Sequence, residues 1–119
     1  MVLESQQQIY LTFQQSLQSF QAVYMTDRTS KLAIQPAFQT LRQIFQQQIL
    51  TLDLDSLDPI EAAKVQSYHT EMNRQLRLMG MDTLFIQTAK QSTIANQRWE
   101  QVNDRLNTLI QYCNILLAG

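Results

Sequence analysis

The residues of this chain that could support catalysis or bind a metal are few and far apart. His69 is the only histidine and Cys113 the only cysteine in the sequence. His69 has no glutamate at E-x-x-H spacing, so a di-iron helix bundle is not indicated. A single cysteine forms neither an intrachain disulfide nor a multi-cysteine metal site. We expect His69 at the edge of a buried helical stripe and Cys113 inside one, both as structural residues.

Three aspartates in a short segment, Asp53, Asp55 and Asp58, resemble a calcium-binding loop at first sight. An EF-hand loop needs a glycine at its sixth position and a glutamate at its twelfth, and this segment has neither. Asp58 is instead followed by Pro59 and Glu61, which is the pattern of a helix start. The sequence therefore predicts a loop that ends at an Asp58 N-cap.

Glycine is too scarce for the loops that bind phosphates or present a catalytic nucleophile. The two glycines are Gly80 and Gly119, and neither lies in a P-loop or a nucleophile-elbow pattern. We therefore expect no enzyme activity, no catalytic residue, no metal and no cofactor.

The elements that hold these residues are indicated by apolar spacing. From residue 95 to residue 116 the apolar positions alternate four and three apart, which places them on one stripe of a helix: Ala95, Trp99, Val102, Leu106, Leu109, Cys113 and Leu116. Arg98 and Arg105 lie between these positions, and we expect them on the solvent-exposed side of that helix. Similar stripes, together with the low glycine and proline content, predict an all-α fold without β-sheet.

The predicted architecture is one domain, an antiparallel up-down four-helix bundle. Its helices are expected at residues 5–25, 31–53, 59–91 and 93–117, with the first turn at residues 26–30. Ser5 and Gln8 fit a capping box at the first helix. The second helix either begins near Gln35 or begins near Ser30 and is kinked at Pro36. The third helix either breaks at Gly80 or continues through it, and continuation is favoured because it gives helices of similar length.

Glutamine is the most unusual feature of the composition. The chain has 20 glutamines, 13 of them in the first 48 residues. They alternate with large apolar residues instead of forming a homopolymer, and glutamine favours helices. The simplest interpretation is a neutral solvated face, and the alternative is a face that binds another protein.

The densest basic site is the segment that carries Arg74 and Arg77. Arginine is enriched at the centres of protein interfaces, and methionine adapts to irregular partners. The segment from Leu76 to Phe85 is also more apolar than one helix face can bury. We therefore predict a partner-binding surface that consists of Arg74, Arg77, Met79, Met81 and Phe85.

Charge and hydropathy favour a cytoplasmic protein that binds neither nucleic acid nor membranes. The net charge is −1, which gives no general attraction to phosphate backbones or anionic lipids. No apolar run approaches the roughly 20 residues that a membrane helix requires. The first residues lack the basic and apolar regions of a signal peptide.

Two segments resemble a known family. The run LDLDSLDPIEAAKVQSYHTEMNRQLRLMGMDTLFIQTAK, residues 52–90, and the run DRLNTLIQYCNILL, residues 104–117, are similar to the cyanobacterial heterocyst frequency control protein PatD family. The stretch from Gln75 to Phe85 resembles its most characteristic part. The resemblance implies a regulator that limits how many cells become heterocysts under nitrogen limitation, through an interaction with the division protein FtsZ. The alternative is a structural subunit whose role is homo-oligomer assembly, with a homodimer as the simplest form.

Overall fold

A computed structural model describes residues 3–26, 28 and 31–118 of the chain. It contains four helices that run alternately up and down a rod of 50 × 21 × 20 Å. The helices are α1 (Glu4–Phe20), α2 (Lys31–Ile44), α3 (Pro59–Thr88) and α4 (Ser92–Ala118). Short π-helical segments extend α1 over Gln21–Met25 and α2 over Phe45–Ile49. No strand occurs among the described residues, so the predicted all-α helical bundle is confirmed.

The core is a single cluster to which all four helices contribute. The stripe predicted for α4 is buried at every position, from Ala95 to Leu116. The aromatic residues of α1 and α2 belong to the same cluster, and the rings of Phe13 and Phe45 lie 5.6 Å apart. Because burying each large apolar side chain contributes roughly 1.5–3 kcal/mol, these stripes hold the helices together.

The start of α3 agrees with its sequence pattern. One oxygen of the Asp58 carboxylate accepts hydrogen bonds from the backbone N–H groups of Ile60 and Glu61, at 2.9 and 3.0 Å. Pro59 occupies the first helical position, where its missing N–H costs nothing. The helix then continues through Gly80 to Thr88 without a break.

The start of α1 differs from its prediction. The helix begins at Glu4, with Leu3 as an N-cap that makes no side-chain hydrogen bond. Ser5 therefore lies inside the first turn, and the Gln8 amide donates to the Thr12 hydroxyl instead of reaching back. The predicted capping box was wrong because the helix begins two residues too early for Ser5 to cap it.

The second helix follows the earlier of the two predicted starts. It begins at Lys31, and Pro36 lies inside it. Proline removes one backbone hydrogen bond there, the one to the carbonyl of Leu32, and Leu32 is itself exposed. The helical geometry ends at Ile49 and not at residue 53. Of the predicted first turn, Asp27, Thr29 and Ser30 lie outside the described residues.

Candidate protein-binding surface

The predicted partner-binding residues lie on the second half of α3, and four of the five face solvent. Arg74 and Arg77 are exposed, and Met81 and Phe85 are about half exposed. These positions are three or four residues apart along one helix, so they share one face. Leu84, also about half exposed, lies on the same face.

Met79 is the exception. Its side chain is fully buried in the core, so it cannot contact a partner of the folded protein. The physical reason is its place in the third-helix stripe, where it follows the buried Leu76 by three residues. We therefore correct the predicted surface by removing Met79 from it.

A buried carboxylate joins this part of α3 to α4. The Asp82 side chain is only 2% exposed, and its two oxygens accept from the Arg98 guanidinium at 3.0 Å and from Arg105 at 2.7 Å. Arg105 also donates to the side-chain oxygen of Gln75 at 3.3 Å. Two cations thus flank one buried anion.

The sequence placed Arg98 and Arg105 on the wet side of α4, and the structure corrects this. Both guanidinium groups lie at the edge of the α3–α4 interface and are mostly covered. Arg98 and Arg105 are seven residues apart and each directly precedes a stripe residue, Trp99 or Leu106. That repeated pairing, together with a carboxylate beside the α3 stripe, is the signal that could have predicted the cluster.

Arg98 connects the buried cluster to the exposed surface. Its guanidinium carbon lies 4.3 Å from the centre of the Phe85 ring, which is within the range of a cation–π contact. Because Asp82 holds the same guanidinium, Phe85 packs against a fixed neighbour although it is half exposed. The result is an ordered aromatic group on the surface, bordered by Met81 and Leu84.

The histidine and the cysteine both lie in the interior. The Tyr10 hydroxyl and the Nε2 atom of His69 share a buried hydrogen bond of 2.7 Å. Burial lowers the pKa of His69 to about 4, and it raises the pKa of the Cys113 thiol to about 12. The pKa of Tyr10 is raised as well, mainly by burial and to a smaller extent by the nearby Cys113. At neutral pH all three groups are therefore uncharged members of the core.

The described residues also include a surface groove on the other pair of helices, α1 and α2. This groove, of about 480 Å³, runs between α1 and α2 and includes Phe20, Tyr24, Leu41 and Ile44 in its lining. No group of three or more histidine, cysteine, aspartate or glutamate side chains in the described ranges could hold a metal ion. Within those ranges no helix is both long and apolar enough to cross a membrane.

Comparison with known proteins gives no match to a family model, to a curated protein or to a solved structure.

Proposed function

We propose that this protein is a non-enzymatic regulator that binds another protein through the exposed face of α3. The binding surface consists of Arg74, Arg77, Met81, Leu84 and Phe85. The observation that carries the proposal is the Phe85 ring, half exposed and held under the Arg98 guanidinium at 4.3 Å. Aromatic and arginine side chains of this kind are the usual anchors of protein interfaces.

The resemblance to the PatD family supports a particular partner and process. We propose FtsZ as the partner, and control of heterocyst frequency under nitrogen limitation as the role. A cytoplasmic location follows from that partner. The exposed arginines of this surface, Arg74 and Arg77, favour an acidic contact region on the partner.

Binding of purified FtsZ to variants of this surface tests the proposal. Met81→Glu and Arg77→Ala each change an exposed side chain of α3 and leave the core intact. We expect each to weaken binding by about tenfold, the effect of losing roughly 1.4 kcal/mol of interaction. Arg42→Ala is the matched control, because Arg42 is an exposed arginine on α2. Equal FtsZ binding by all three folded variants would exclude this surface.

A second candidate function is self-assembly as a structural subunit. The observation that favours it is Ile60, which is 71% exposed at the start of the same helix. A large aliphatic side chain exposed to this degree gains about 1.5–3 kcal/mol when another surface covers it. Sedimentation of the purified protein separates the two functions, since a monomer at every concentration would contradict self-assembly and leave FtsZ binding open.

A further inference from the structure

The outward face of α3 carries a regular pattern along most of its length. Successive positions on this face are separated alternately by three and four residues, which is the spacing of the seam of a coiled coil. In chain order these positions are Ile60, Ala63, Ser67, Thr70, Arg74, Arg77, Met81 and Leu84. All of them are exposed, because the core-facing stripe of α3 lies on the opposite side of the helix. The helix therefore has a second face, apolar at its two ends and polar in the middle, that its own bundle does not cover.

This pattern is symmetric about position 72. Ile60 lies twelve residues before that position and Leu84 twelve after it, while Ala63 and Met81 lie nine residues before and after it. The polar positions between them follow the same rule, so that Ser67 mirrors Arg77 and Thr70 mirrors Arg74. The apolar residues thus form two groups at the ends of a segment that is about 36 Å long, at 1.5 Å per residue.

We propose that two copies of this chain pair along α3 in antiparallel orientation, with a two-fold axis at the level of position 72. Ile60 of each copy then packs against Leu84 of the other. The small Ala63 makes room for Met81 of the second copy. Both ends of the pair are closed in the same way, as a two-fold interface requires.

Charge distribution selects the antiparallel arrangement over the parallel one. In a parallel pair, Arg74 would lie opposite Arg74 and Arg77 opposite Arg77, and like charges in register repel. In the antiparallel pair, Arg74 lies opposite Thr70 and Arg77 opposite Ser67. Within one copy Glu71 already accepts from Arg74 at 3.0 Å. Near the axis the two Arg74 residues lie four positions, about 6 Å, apart along the helices. Each Glu71 lies within one position of Arg74 of the second copy, so the two ion pairs form one cluster.

The proposal rests on the second candidate function, self-assembly, and it does not require FtsZ. It also explains why exposed apolar residues occur at both ends of α3, whereas the FtsZ surface uses only one end. Because both proposals use Met81 and Leu84, a dimer and an FtsZ complex would compete. A failure of one proposal leaves the other measurable, since sedimentation is done without FtsZ.

An experiment with complementary introduced charges on the purified protein tests the pairing. Ile60→Glu and Leu84→Lys each place a charge in an otherwise apolar end of the dimer. A negative charge near the N-terminus of α3 and a positive charge near its C-terminus both interact favourably with the helix dipole. By sedimentation over micromolar to submillimolar concentrations, we expect the wild type to dimerise and each variant to dimerise at least about tenfold more weakly. A mixture of the two variants should regain dimerisation. In the mixed dimer the introduced glutamate of one copy meets the introduced lysine of the other at one end, and the native apolar pair remains at the other end.

Leu32→Glu is the matched control. Leu32 is the second residue of α2 and is 77% exposed, as Ile60 is the second residue of α3 and is 71% exposed. The control should dimerise as the wild type does. A wild type that stays monomeric would overturn the proposal. So would a control weakened as much as Ile60→Glu, or a mixture no more dimeric than its components, since a foreign partner or another face would then be the occupant.

Discussion

At the scale of single residues, Gly80 shows how packing can outweigh helix propensity. A Cβ atom added at Gly80 would lie 2.9 Å from Cε2 of the Phe38 ring. Real Cβ atoms do not approach other atoms this closely, so the glycine permits α2 and α3 to pack against each other at this point. Glycine costs about 1 kcal/mol relative to alanine in an isolated helix, and the close packing of α2 against α3 offsets that cost.

We therefore expect Gly80→Ala to destabilise the fold although alanine favours helices. Overpacking costs about 1–3 kcal/mol, which exceeds the propensity gain, so the free energy of unfolding should fall by about 1 kcal/mol. Urea denaturation measures this change. In the background Phe38→Leu, which removes the ring, the same substitution should become neutral or stabilising. A stabilising Gly80→Ala in the wild-type background would show that Phe38 moves aside freely.

His69 makes the stability of the fold depend on pH. Its pKa is about 4 in the folded protein, against an ordinary value of 6.5, because burial disfavours the charged ring. Below pH 6.5 the unfolded chain therefore binds a proton that the folded chain does not. The contribution of His69 to stability should be constant above about pH 7 and fall as the pH decreases from 6.5 to 4, by about 3 kcal/mol in total.

Comparison of the wild type with His69→Gln isolates this effect. Glutamine can keep a hydrogen bond to Tyr10, and it does not titrate. Between pH 7 and pH 5, urea denaturation of the variant should show a flatter dependence than that of the wild type. The carboxylates are common to both proteins, so their titration cancels in the difference. Parallel profiles for the two proteins would mean that His69 takes up its proton equally in the folded state.

At the scale of helices, the Asp82 cluster fixes the α3–α4 pair more firmly than a surface ion pair can. Asp82 is nearly inaccessible and binds two arginines, whereas Glu71 and Arg74 form an exposed pair at a similar distance of 3.0 Å. Removal of one partner from a buried pair costs several kcal/mol, and exposed pairs contribute about 0–1 kcal/mol. The two arginines are partly accessible and can return to water, which reduces the loss.

We expect Asp82→Ala to lower the free energy of unfolding by about 2 kcal/mol and Glu71→Ala by less than about 0.5 kcal/mol. Chemical denaturation of both variants gives the comparison. The Asp82 variant should also increase the mobility of the Phe85 ring, since Arg98 loses its anchor, and NMR relaxation of Phe85 would detect this. Equal losses in the two variants would place the Asp82 cluster among ordinary surface pairs.

Periodicity predicted the helices well, because a buried stripe of large residues leaves a clear spacing in the sequence. It did not predict contacts that depend on how neighbouring helices are rotated. The glutamines show this: the Gln14 amide donates to the Ile110 carbonyl and to Asn114, and Gln21 reaches Asn103 and Asn107. These glutamines therefore connect α1 to α4 and do not belong to a solvated face.

The same limit applies to the candidate surface. Exposure of Arg74, Arg77, Met81 and Phe85 could be predicted, since these residues fall outside the stripe. Met79 resembles the exposed Met81 in residue type, but its helical position places it in the buried stripe. Ile60 lies at the other end of α3, so the apolar composition of the segment from Leu76 to Phe85 gives no indication of it.

At the scale of the whole molecule, the bundle has one core and should unfold as one unit. Every helix contributes fully buried residues to a single apolar cluster, so no helix pair can separate without exposing part of it. Trp99 is the only tryptophan and is fully buried within that cluster. Its fluorescence therefore reports on packing at the core, while far-ultraviolet circular dichroism reports on all four helices.

We expect the two signals to change together during urea denaturation, with the same midpoint and the same slope, as for a small two-state domain. If α1 and α2 dissociated first, circular dichroism would fall at lower urea than the fluorescence of Trp99 on α4. The midpoint should also increase with protein concentration if two copies pair along α3, since association stabilises the folded state. Ile60→Glu should remove that concentration dependence and keep the two signals coincident, because it opens the contact between copies without entering the core. Separate midpoints for the two signals would instead show that the bundle consists of two parts that fold independently.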